Sequence, residues 1–175
     1  RGTEHAAASH DQFDTFVLLT DTSIQDIALS SGEIGATRHY KAVTRGQALE
    51  SVAAERQTYA GERLECLSPV LLGGGRDASG NITLTWVRRD RINAGWLNNI
   101  DVPLSEASES YEVDIYTNNT YGTVKRTLTG LSGTTASYPS ATQVTDFGAN
   151  QATVYLRVYQ LSATAGRGHY LQGAV

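Results

Sequence analysis

Ile82, Leu84 and Trp86 alternate with Thr83, Thr85 and Val87, and the charged run Arg88-Arg89-Asp90-Arg91 ends the series. Large apolar residues at a period of two, stopped by charge, define a strand with one face on a core. The approach is Pro69-Val70-Leu71-Leu72, then Gly73-Gly74-Gly75, then a turn over Asp77-Ala78-Ser79-Gly80-Asn81. The stretch therefore reads as a hairpin. A tryptophan on its inner face, reached from a proline-led first strand, predicts the opening of a small β-sandwich.

The rest of the chain extends that reading. Tyr111, Val113 and Ile115 alternate with Glu112, Asp114 and Tyr116, and Asn118-Asn119-Thr120-Tyr121-Gly122 makes a turn into a strand over 124–131. Thr135–Tyr138 is a short strand ended by Pro139, and 140–147 is expected to form a helical turn capped by Ser140. In 152–161, Val154, Leu156 and Val158 point one way and Tyr155, Arg157 and Tyr159 the other, while Tyr170 and Leu171 fit a last edge strand. Seven short strands with turns about every ten residues spell a sandwich.

Residues 1–66 read as a different, smaller unit. Thr3 is placed to cap a turn of helix through Ala8, and Phe16-Val17-Leu18-Leu19 is a buried strand. Ile24, Ile27 and Leu29 form a second strand with a bulge, and 38–43 a third. Residues 51–60 read as strand or short helix, with a lean toward strand because Thr58 and Tyr59 follow. Such a module is too small to be comfortable alone.

Composition sets the outer bounds. A 175-residue chain that is 40% hydrophobic can bury one or two real cores. Its net charge of -4, with basic residues scattered, offers no face for nucleic acid. Apolar runs stop at four or five residues, so no membrane span is expected. Methionine is absent and the chain opens on Arg1, so it is expected to be a piece of a longer polypeptide. The lone Cys66 excludes an internal disulfide and reads as a small buried hydrophobe.

Catalytic and cofactor motifs are weak. His5 and His10, beside Glu4 and Asp11, do not share a helix face and lack a patterned third ligand. Gly73-Gly74-Gly75 is not followed by Lys-Ser/Thr and a helix, so it reads as a bulge or strand entry. No nucleophile-elbow pattern occurs. The sequence-based expectation is no enzyme activity, no metal and no cofactor. Contact surfaces are better candidates. Trp96 lies in a polar loop with Asn98 and Asn99, an arrangement suited to sugar or protein docking unless the ring folds back onto the sandwich. Tyr116, Tyr155 and Tyr159 form a second candidate face, or else ordinary cross-strand pairs.

Two resemblances go further. Pro69, Ile82-Thr83-Leu84-Thr85-Trp86 as second strand, Tyr111-Glu112-Val113-Asp114-Ile115 as third and Val154-Tyr155-Leu156-Arg157-Val158 as sixth resemble a fibronectin type III domain over about 67–175. Val154 stands where that family usually has its corner tyrosine, and the loop after Trp86 is longer, so the departures concern the E–F corner and loop geometry. Arg1-Gly2-Thr3-Glu4, Phe16-Val17-Leu18-Leu19, Gly32-Glu33-Ile34-Gly35, Tyr40-Lys41-Ala42-Val43, Leu67-Ser68-Pro69-Val70 and Leu84-Thr85-Trp86-Val87-Arg88-Arg89 also recur in that order elsewhere. In this the chain is similar, over nearly its full length, to the C-terminal part of the tail-tip host-specificity ("megatron") proteins of gene transfer agents and siphophages. That resemblance implies a structural protein of the virion, at the distal end of the tail. It implies partners among hub, distal tail and tail-fibre proteins of the baseplate, three copies around the tail axis, and no transferable catalytic residue.

The expected architecture is all-β: a small β-rich module at 1–66, then a fibronectin type III-like antiparallel β-sandwich at 67–175. The expected function is structural, in a tail tip that contacts the host surface or holds the adsorption apparatus. The alternative is a carbohydrate-binding module recognising host-surface glycan, and a third reading is the accessory domain of a cell-wall hydrolase. A protein receptor is the other possible host partner.

Overall fold

The alternation of Ile82, Leu84 and Trp86 becomes an alternation of burial. In a computed structural model that describes residues 27–92 and 102–175, with Thr22 and Gln25, these three are buried and Thr83, Thr85 and Val87 exposed. The N-terminal helical turn, Phe16–Leu19, Ile24, the His5/His10 pair, Trp96, Asn98 and Asn99 lie outside the described residues, whereas Ile27 and Leu29, expected in one strand with Ile24, lie in no strand.

The chain divides between Glu62 and Arg63 into two units, ahead of the expected boundary at 66/67. The physical reason is that Glu65 and Cys66 already belong to the sandwich. The Cys66 carbonyl accepts the His169 amide (3.0 Å), and Glu65 pairs with His169 (3.2 Å). Gly168 crosses Cys66 so closely that a Cβ there would stand 2.4 Å from the Cys66 carbonyl oxygen, which only glycine tolerates.

In the smaller unit, strands β1 (Thr37–Tyr40) and β2 (Glu55–Thr58) pair antiparallel from Thr37↔Thr58 to Tyr40↔Glu55. The first falls near the expected 38–43, and the strand expected within 51–60 is β2, which a 3-10 turn (Leu49–Ser51) precedes. The turn at Ser31–Glu33 is tied by the Glu33 carboxylate, which accepts the Ser30 amide (2.8 Å), and by the Arg38–Glu33 ion pair. Among the described residues of this unit, Gly61 alone is buried, tucked against Ile34. Such a hairpin has little apolar burial of its own.

The larger unit is an antiparallel sandwich of seven strands. Strands β3 (Val70–Arg76), β4 (Ile82–Val87) and β7 (Thr135–Tyr138) form one sheet in the order β3-β4-β7. Strands β5 (Tyr111–Tyr116), β6 (Val124–Leu131), β8 (Tyr155–Ser162) and β9 (Gly166–Ala174) form the other, in the order β6-β5-β8-β9. The expected second, third and sixth strands of the sandwich are β4, β5 and β8, and the fold is fibronectin type III-like. Between the sheets, Ile82, Leu84, Trp86, Tyr111, Val113, Ile115, Ala136, Tyr138, Val154, Leu156 and Val158 make one buried cluster. Trp86 meets Tyr111 edge to face at 5.3 Å.

Local differences from expectation have local causes. The glycines at 73–75 sit in register opposite Thr85, Leu84 and Thr83, so the bulge of β3 falls before them, where Leu71 takes φ 54. Strand β9 is much longer than Tyr170-Leu171, because the hairpin over 163–165 carries its pairing from Ser162↔Gly166 to Tyr155↔Ala174. Helix α1 (Ser140–Phe147) forms, but Ser140 is not its cap: Pro139 holds that position without a side-chain bond, and the Ser140 amide donates to Asn81 Oδ1 (3.0 Å).

The helix lies between β7 and β8, ahead of Val154. Asp146 accepts two hydrogen bonds from Arg126 (2.6 Å each) and one from the Tyr138 hydroxyl (2.7 Å). The Arg126 guanidinium is the main cause that holds the Asp146 carboxyl below its ordinary value of 3.8, with Tyr138 helping and burial opposing. A carboxylate with a depressed folded pKa stabilises the fold fully above the unfolded pKa and loses that contribution as pH falls through the folded one. Stability of the wild-type chain is therefore expected to fall with acid below about pH 4 more steeply than that of Asp146→Asn. Thermal melts across that range check this, and parallel acid limbs would refute it.

Candidate contact face on the four-stranded sheet

Period-two alternation assigns β5 and β8 an inner and an outer face. Tyr111, Val113 and Ile115 face the core, so Glu112, Asp114 and Tyr116 stand on the other side, with Tyr155, Arg157 and Tyr159 of β8 beside them. The register sets Glu112 opposite Tyr159, Asp114 opposite Arg157 and Tyr116 opposite Tyr155. Across the next ladder Arg157 lies opposite Gln172, and Tyr159 opposite Tyr170. The turn after β5 adds Tyr121.

These side chains form a continuous aromatic–arginine array. The Arg157 guanidinium lies 4.2 Å from the Tyr170 ring centroid, 5.1 Å from that of Tyr116 and 5.3 Å from that of Tyr121. Its Nε donates to Gln172 Oε1 (2.9 Å) and its Nη1 to the Tyr116 hydroxyl (3.3 Å). Arg167 lies 4.4 Å from the Tyr159 centroid and donates to Glu112 (2.6 Å) and to both oxygens of Asp114 (2.7 and 3.1 Å). Hydrogen bonding to Asp114, the largest cause, raises the Arg167 pKa and keeps it charged. Thr127 donates to Asp114 at 2.6 Å. Burial, then the hydrogen bond with Tyr116, pushes the Tyr159 phenol up to about 12.

Tyr121 reaches this face through a conformation that side chains avoid. Its φ of 53 is left-handed, which costs a non-glycine residue roughly 1–2 kcal/mol. The ring is repaid by edge-to-face contacts with Tyr116 (5.3 Å) and Tyr155 (6.1 Å), and its hydroxyl donates to the Gly173 carbonyl (3.0 Å). An Asx turn, in which the Thr120 amide donates to Asn118 Oδ1 (3.0 Å), supports the loop.

Of the residues expected from sequence, Tyr155 and Tyr159 point outward and are half-buried. Tyr116 shares their face but does not offer its ring to a partner: it is 5% exposed, covered by Tyr121 and Arg157. Trp96, Asn98 and Asn99 lie outside the described residues, so the face is built without them. Sequence reasoning did not select Tyr121, Arg157, Arg167, Tyr170 or Gln172. The signal for Arg157 was its place between two outward tyrosines. Tyr121 had none, because its position comes from one backbone angle. Cys66 takes no part; burial first, then Glu106, pushes its thiol up to about 12. Among the described residues no group of three His, Cys, Asp or Glu could hold a metal, and no helix is long and apolar enough to cross a membrane.

No family model matches the chain, and no curated protein matches it. Among solved structures it is similar to domains d3–d4 of the rat CD45 extracellular region. The identity is 9% and the TM-score 0.40, over 96% of this chain and 78% of that one. At that score the likeness carries no argument about function.

Proposed function

We propose that this chain is a non-enzymatic structural module of a phage or gene-transfer-agent tail tip, present in three copies around the tail axis beside hub, distal tail and fibre proteins. The observation that carries this reading is the ordered recurrence, from Arg1-Gly2-Thr3-Glu4 to Trp86-Val87-Arg88-Arg89, of the segments that resemble tail-tip host-specificity proteins. A sandwich with a pre-organised tyrosine–arginine face suits the role, because multiplied weak contacts on one particle give high avidity.

Electron-microscopy reconstruction of the particle tests it. Three copies at the distal tail are expected, and absence of the chain from that position would overturn the assignment. The second reading is a carbohydrate-binding module acting on host-surface glycan. The aromatic–arginine face favours it, and it predicts that the isolated chain binds a polysaccharide without any assembly partner.

A further inference from the structure

We propose that the outer face of the four-stranded sheet, centred on Tyr170, is a binding site for an acidic saccharide, a chain of pyranose units bearing carboxylates. The proposal rests on the glycan-contacting reading above and names both the site and the ligand class.

The first argument is charge. The acidic groups opposite and diagonal to Arg157 in the register are Asp114 and Glu112, and both are engaged by Arg167. The hydrogen bonds of Arg157 go to neutral groups, Gln172 Oε1 and the Tyr116 and Tyr159 hydroxyls, and it also lies against the ring faces of Tyr116, Tyr121 and Tyr170. A half-buried guanidinium held among neutral groups complements an incoming carboxylate, and such charge-assisted bonds are about twice as strong as neutral ones.

The second argument is the size of the apolar surface. Tyr170 is 46% exposed, and it is the aromatic side chain left exposed among the described residues. One of its faces rests on Arg157, and Tyr159 meets it at 64° with centroids 5.9 Å apart. Its orientation is therefore set before a ligand arrives, which removes much of the ordering cost of binding. One open ring amid half-buried neighbours falls far short of the roughly 800 Å² per partner that a stable protein interface buries. It matches a single sugar ring stacked on Tyr170, with the polar group of Gln172, two positions along the same strand, at its margin. The distance from Tyr155 to Tyr159 along β8, about 13 Å at ~3.4 Å per residue, leaves room for more than one unit of a polymer.

The test is affinity electrophoresis of the 175-residue chain in gels containing polygalacturonate, dextran or polyglutamate. Retardation by polygalacturonate alone is expected, weakened at least tenfold by Tyr170→Ala and by Arg157→Gln. Tyr170→Ala removes an exposed ring, and an unchanged melting temperature shows that it still folds. No retardation by polygalacturonate overturns the proposal, as does retardation unchanged in both variants. Equal retardation by dextran overturns the carboxylate requirement, and equal retardation by polyglutamate replaces the saccharide with an acidic peptide. None of these outcomes alters where the chain sits in a particle, which imaging decides separately.

Discussion

Trp86→Ala is expected to destabilise the sandwich by about 3–5 kcal/mol, the largest effect of any single truncation in this core. Trp86 is 3% exposed at the end of β4, the middle strand of its sheet, and its ring spans to Tyr111 on the opposite sheet. Removing it deletes the edge-to-face contact and leaves a cavity that the two sheets cannot close without shifting their registers. A domain of this size has roughly 5–15 kcal/mol in total, so the variant should lose about a fifth or more of its stability. Urea denaturation with constant m-value is the measurement. Val87→Ala is the control: its neighbouring side chain is 46% exposed on the other face and should change stability by about 0.5 kcal/mol or less. A Trp86→Ala cost no larger than that of Val87→Ala would show that Trp86 does not close the core.

The second large effect concerns the charge cluster on the outer face, and it should be asymmetric. Arg167→Ala leaves the Asp114 carboxylate, 4% exposed, with Thr127 as its remaining hydrogen-bond donor. A buried charge stripped of its partner costs about 3 kcal/mol or more. Asp114→Asn leaves Arg167, which is 39% exposed and still holds Glu112, so solvent and the second carboxylate absorb part of the loss. About 1–2 kcal/mol is expected. In the double variant neither group is left stranded, and a coupling of about 1–3 kcal/mol should emerge from the cycle. Equal single-variant costs that simply add would show that the cluster is solvated and contributes little.

Much of this architecture was legible because each sandwich strand has one face on the core and one on water. Where that holds, burial follows sequence parity, as at 82–87 and 154–159; at 111–116 parity marks the inner face of Tyr111, Val113 and Ile115, but Asp114 and Tyr116 on the other side are buried too, covered by their neighbours. Parity failed where backbone geometry outranked side-chain pattern. The glycines at 73–75 carry no side chains to alternate, yet they pair in register, and the long β9 is interrupted by Gly166, Gly168 and Gly173. Helix α1 was visible as a segment but not its cap, since the group that meets the Ser140 amide is Asn81, distant in sequence.

The contact face divides in the same way. Sequence by itself determined that Tyr155, Arg157 and Tyr159 would share a side of one strand, because a strand turns each successive side chain over by half a revolution. Only the tertiary structure decided what that side became. Strand register set Tyr170 against Tyr159 and Gln172 against Arg157, and a single left-handed residue in a turn laid Tyr121 over Tyr116. Arg167, from the far hairpin, took both acidic groups and left Arg157 among neutral partners. The Arg167 pairs join residues more than fifty positions apart, and the others cross a hairpin or a turn. They depend on which strands become neighbours, a choice made by core packing between sheets and not written in the period of any one strand.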